Sequence, residues 1–125
     1  MATTELVPAS DAAHAAAVPQ AQTLQRFLVA GFPTQRADGT LDECLETQMQ
    51  GAWQALFAAM KAAGFERHHL RNTTMYLKVG GQTQLFRRVR DRMLQRMPVP
   101  SACLHVSELE TAAPVVEIEG QACKD

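Results

Sequence analysis

The stretch MPVPSACLHV, residues 97–106, sets Ser101, Cys103 and His105 two positions apart behind two prolines. On an extended backbone such residues share one face, which would line up a hydroxyl, a thiol and an imidazole. A thiol can react with electrophiles, or serve as a nucleophile when a base is close. Side chains at i and i+2 on a strand stand roughly 7 Å apart, too far for a direct thiol–imidazole bond. Cys103 therefore reads first as a passive cleft thiol. Ser101 can orient a neutral ligand or simply cap the strand entrance. The second group is in VVEIEGQA, where Glu117 and Glu119 alternate with Val116 and Ile118. Glu119 can position or deprotonate a water if partial burial keeps its pKa usefully high. Its competing reading is an interfacial glutamate paired with an arginine of a neighbouring subunit.

Other groups carry less. Adjacent His68 and His69 point different ways on most backbones, and no thiol or carboxylate is suitably spaced beside them, so no metal site is expected. Cys44, Cys103 and Cys123 are odd in number and far apart, which suggests neither a disulfide framework nor a zinc ribbon. A reducing, cytoplasmic setting is the default. The N-terminus lacks the basic start and apolar core of a secretory signal, and no apolar run nears the roughly 18 residues of a membrane span. With 125 residues, 46% hydrophobic and 20% charged, the chain fits one soluble domain with a single core. The formal charge of −1 argues against a dedicated partner among nucleic acids or anionic membranes. Charge is nevertheless uneven. Residues 65–100 hold Arg67, Arg71, Lys78, Arg87, Arg88, Arg90, Arg92 and Arg96 against Glu66 and Asp91, whereas the last segment is acidic. That asymmetry fits a solvated arginine-rich helix face, or complementary faces of neighbouring subunits.

These residues must be positioned by few elements. Residues 1–20 are rich in Ala, Thr, Ser and Pro and form a flexible or irregular lead-in to a domain spanning 21–125. QRFLVAGF, residues 25–32, reads as a mostly buried strand ending at Gly31, and Asp38-Gly39 marks a turn. Leu45, Met49, Ala52, Leu56, Ala59, Met60 and Ala63 recur at helical spacing, with Asp42 as N-cap and Gly64 as the stop. Trp53 sits at the edge of that helix, packing against a sheet. His69–Val79 is β-branched and aromatic enough for a second strand, within which Tyr76 packs. Leu85, Val89, Met93 and Met97 mark one face of a second helix that Pro98 and Pro100 end. Two alternating strands follow, the last placing Val116, Ile118, Gly120 and Ala122 opposite Glu117, Glu119 and Gln121. The order is α+β, with both helices on one face of a sheet. Such a sheet leaves its other face to water or to a partner.

FLVAGFP, QMQGAWQALFAAMKAAGF, LRNTTMYL, PVPSACLHV and VVEIEGQA occur in an order and at spacings that resemble the Rid (YjgF-type) reactive-intermediate deaminase family, also called endoribonuclease L-PSP. Gln48 to Gly64 aligns without a gap to the family pattern Q-T-x-x-x-L-x-N-L-x-x-x-L-x-A-A-G, and the likeness runs from about Leu24 to Ala122. The resemblance implies a chorismate-mutase-like fold with a mixed sheet, and a homotrimer with clefts between subunits. It implies hydrolysis of a small-molecule imine or enamine with ammonia release. No cofactor or metal is implied, since water and proton transfer suffice. Residue by residue, Glu119 falls on the second glutamate of E-I-E, as the catalytic candidate. Cys103 falls on the cysteine of P-A-R-S-C-V-x-V, and Ser101 stands where that motif has the arginine that clamps a substrate carboxylate. Gly31 matches a glycine, Ala30 replaces a serine, Phe32 replaces a glutamine, and Arg87 replaces an asparagine. The lead-in tyrosine has no counterpart near Ala17 and Val18. The expected pocket is lined by Ser101, Ala102, Cys103, Arg87, Gly31 and Phe32, with backbone N–H groups near Ala102 and Cys103 orienting the ligand. Without the clamp the substrate is not expected to be the standard small 2-imino acid. The alternative is a non-catalytic trimer that binds a metabolite or a partner protein.

Overall fold

A computed structural model describes residues 23–109 and 115–124. The expected lead-in 1–20, with Ala17 and Val18, lies outside them. In chain order the elements are β1 (Thr23–Gly31), β2 (Thr34–Gln35), β3 (Leu41–Asp42), α1 (Leu45–Ala62), a 3₁₀ turn (Arg67–His69), β4 (Leu70–Leu77), α2 (Thr83–Leu94), β5 (Ser101–His105) and β6 (Val116–Lys124). Four strands form one mixed sheet in the order β1-β6-β4-β5, antiparallel except for the parallel β4–β5 pair. β2 and β3 form a separate small hairpin around Gly39, whose φ is +89°. The α+β reading holds.

Alternation decides which face is which. Phe27, Thr73, Met75, Leu77, Val116, Ile118, Gly120 and Ala122 are buried and form the side covered by the helices. α1 presents Met49, Ala52, Trp53, Leu56 and Met60 to them, and α2 adds Phe86, Val89 and Leu94. Burying each large apolar side chain of this kind contributes roughly 1.5–3 kcal/mol, so this interface holds the fold. Two glycines permit it. A Cβ on Gly120 would lie 3.0 Å from Leu56, and one on Gly31 would lie 2.2 Å from the backbone oxygen of Gln48. No side chain fits where β1 ends against the first turn of α1.

Several expectations need correction. β1 is not buried on both faces: Leu24 and Arg26 are exposed while Phe27 is buried, because only one face meets a helix. The N-cap of α1 is Cys44 rather than Asp42. Asp42 lies two residues earlier and accepts hydrogen bonds from the Cys44 N–H at 3.0 Å and the Thr47 hydroxyl at 3.2 Å. Trp53 is not at an edge but wholly buried. α2 ends at Leu94, short of Met97, because Gln95 (φ 50°) and Arg96 (φ 74°) turn left-handed before the prolines are reached.

Candidate functional site

The helix-free face of the sheet carries the polar side chains that the core face cannot hold. Pairing puts Leu28, Glu119, Thr74 and Ala102 in one row across it, and Ala30, Glu117, Tyr76 and Leu104 in the next. Glu119 lies at the centre. Its Oε1 accepts a hydrogen bond from the Tyr76 hydroxyl at 2.8 Å, and its Oε2 is hydrogen-bonded and ion-paired to the Arg26 guanidinium. Arg26, one row further along, reaches Glu119 diagonally. The Asn72 amide donates to the Gln121 side-chain oxygen at 3.1 Å on the same face.

This network fixes the charge state. Arg26 and then Tyr76, both hydrogen-bonded to it, hold the Glu119 carboxyl below its usual 4.5, outweighing the opposing effect of burial. The same contact pushes Tyr76 above its usual 10.0, helped by burial. Glu119 is thus a fixed carboxylate at neutral pH. Its pKa is lowered rather than kept high as the water-activating reading required, and an arginine of its own chain, Arg26, pairs with it. Tyr76, read as mere strand packing, is a hydrogen-bond donor to the central carboxylate. Beside the network a pocket of about 270 Å³ is lined by Arg26, Leu28, Tyr76 and Glu117 and closed by Val106, Glu108 and Leu109.

The other expected site residues divide between the two faces. Ala102 shares the Glu119 row, with β4 between them. Ser101 and Cys103 pair with Thr73 and Met75, so they face the helices. The Thr73 hydroxyl donates to Ser101 Oγ at 2.7 Å, and Ser101 in turn donates to the Val99 carbonyl at 3.2 Å. Cys103 packs against the core, where burial pushes its thiol above the usual 9.0. His105, on the same face, lies 3.3 Å from the Lys78 carbonyl oxygen. Gly31 abuts α1, Phe32 beyond it is half-exposed, and Arg87 is exposed on α2. Within one chain, then, the sheet itself separates Glu119 from Ser101, Cys103 and Arg87. Arg26 and Tyr76 were missed, although period-two alternation in β1 and β4 puts both opposite the core residues. No group of three metal-binding side chains exists among the described residues.

No family model matches the sequence, and no curated protein matches it. Solved structures do. Rv2704 of Mycobacterium tuberculosis, a member of the highly conserved YjgF/YER057c/UK114 family, superposes with a TM-score of 0.60 at 20% identity, covering 78% of this chain and 77% of that one. YyfB of Yersinia pestis, of the conserved Rid protein family, gives 0.58 at 20% identity, covering 79% and 78%. Yeast Mmf1 gives 0.62 at 13% identity, covering 80% of each. At such identities the likeness establishes the fold, and the chemistry must be argued from the residues.

Proposed function

We propose that this chain, which has the fold of the YjgF/YER057c/UK114 and Rid proteins, belongs with them and hydrolyses a reactive imine or enamine other than the standard small 2-imino acid. The observation that carries this reading is Glu119: a carboxylate held ionised by Arg26 and Tyr76, both of which line a small pocket. An iminium carbon is already electrophilic, so a weak, fixed base suffices. The anionic carboxylate favours the protonated iminium over the neutral imine and accepts a hydrogen bond from the attacking water. As the water oxygen bonds to carbon, the C=N π pair moves to nitrogen and Glu119 takes the water proton. That proton then passes to the amine nitrogen of the carbinolamine, directly or through the Tyr76 hydroxyl. The C–N bond breaks and ammonia leaves as the C=O bond forms; Glu119 takes the remaining hydroxyl proton and passes it to the departing ammonia, which leaves as ammonium and frees the carboxylate. Ser101, on the opposite face of its own chain, brings no carboxylate clamp to this pocket, and the lining cation Arg26 is already paired with Glu119, which favours substrates that need no such clamp. Three copies meeting on their helix-free faces would shield this pocket from bulk water.

Ammonia release from freshly generated imines, neutral and aromatic ones included, tests the assignment. Glu119→Gln should lower kcat by roughly 10²- to 10⁴-fold, the usual weight of a general base. Full activity in that variant on every substrate turned over removes Glu119 from the mechanism. A second reading, a non-catalytic binding protein, is favoured by the placement of Ser101 and Cys103 on the opposite face. It prevails if the wild-type protein turns over no imine yet binds small molecules beside Tyr76.

A further inference from the structure

On the helix side of the sheet, where α1 and α2 both end, lies a larger groove of about 850 Å³. That volume falls within the roughly 300–1,000 Å³ of small-molecule sites. Phe57, Phe65, Leu94 and Met97 give it apolar walls. Its rim is basic: Lys61 and Arg67 line it together with His68, against Glu66. The carbonyl ends of two helices would ordinarily repel an anion here. Several of these carbonyls are already engaged: Arg67 donates to that of Met93 at the end of α2, and the N–H groups of Ala63, Gly64 and Phe65 donate to those of Ala59, Lys61 and Met60 at the end of α1. Arg67 Cζ also sits over the Phe57 ring, 4.0 Å from its centroid, which holds the guanidinium against the apolar wall. Among the described residues no carboxylate pairs with Lys61 or Arg67. A separate observation concerns the groove's far wall. Gln95, which lines it and is not a glycine, is left-handed with a φ of 50°, a backbone cost of the kind that gathers at ligand clamps.

We infer that this groove binds a small apolar carboxylic acid, its hydrocarbon body against Phe57, Phe65 and Leu94 and its carboxylate at Lys61 and Arg67. This site is independent of Glu119, which lies on the other face of the sheet. Isothermal titration calorimetry of the whole chain with naphthalene-2-carboxylate, decanoate and naphthalene-2-carboxamide tests it. At least one acid should bind saturably at one site per chain, and which one binds tells a flat aromatic body from a flexible chain. The uncharged amide should bind at least about tenfold more weakly, the worth of one charge-assisted contact. Lys61→Gln should weaken the acid by about tenfold, and Ala58→Trp, at an exposed groove position, should abolish binding while leaving the urea midpoint unchanged. Glu119→Gln should leave the affinity as it is. The inference is overturned if neither acid binds up to millimolar concentration, if the amide matches the acid, or if both groove variants bind like wild type. It is equally overturned if Lys61→Gln alters sedimentation instead of ligand affinity, for then another copy of the chain fills the groove.

Discussion

Glu119 illustrates how two neighbours can set both the charge and the reach of a carboxylate. Because its folded pKa lies below the usual 4.5, the stabilising contribution of its contacts is fully present above that value. It is lost as pH falls through the lower, folded value. Asp38, Asp42 and Glu46 are depressed as well, by hydrogen bonds from Thr40, from the Cys44 N–H and from Arg92 respectively, and add to the same acid slope. Urea unfolding at stepped pH should therefore show stability falling below pH 4.5, with a shallower fall in Glu119→Gln. A ¹³C titration of the carboxyl should show Arg26→Met raising the Glu119 pKa more than Tyr76→Phe does. Equal or opposite changes would mean that Arg26 is not the main partner.

At the scale of elements, the close approach of β1 to α1 is the tightest constraint in the fold. Gly31→Ala would drive a Cβ into the Gln48 carbonyl, and a backbone atom cannot rotate aside as a side chain can. The expected loss is at least the roughly 1–3 kcal/mol of an overpacked core, read as a lower urea midpoint. An unchanged midpoint would show that the strand can slide. The same elements explain what could be read in advance. Alternation in β6 assigned Gly120 and Ala122 to the core and Glu119 to the other face, because a strand's period is local. Helical spacing likewise located α1. The partnership of Arg26 with Glu119 spans 93 residues and depends on which strands pair, so no local pattern contains it. The Ser101 and Cys103 face was readable from alternation, yet its side of the sheet was not, since that depends on the parallel register with β4. The early end of α2 escaped for a different reason: Gln95 and Arg96 adopt a backbone that their residue types do not announce.

The whole molecule presents one finished face and one unfinished one. Helices cover the first; on the second, Leu104 is 48% exposed and Leu24 66% exposed at opposite edges of the sheet. Copies packed on that face would cover both, and we expect light scattering to give three times the 13.7 kDa chain mass. Leu104→Glu should shift the protein toward monomer with little change in far-UV circular dichroism, because the substituted side chain points away from the core. A monomeric wild type would remove the intersubunit cleft from the proposed chemistry. Among the described residues no helix is long and apolar enough to cross a membrane.

Trp53, the chain's one tryptophan, is fully buried in the core that α1, α2 and the sheet share, its indole N–H without an acceptor among the described residues. The molecule consequently carries a built-in optical gauge. Its emission should start blue-shifted and turn red only when the core around α1 opens to water.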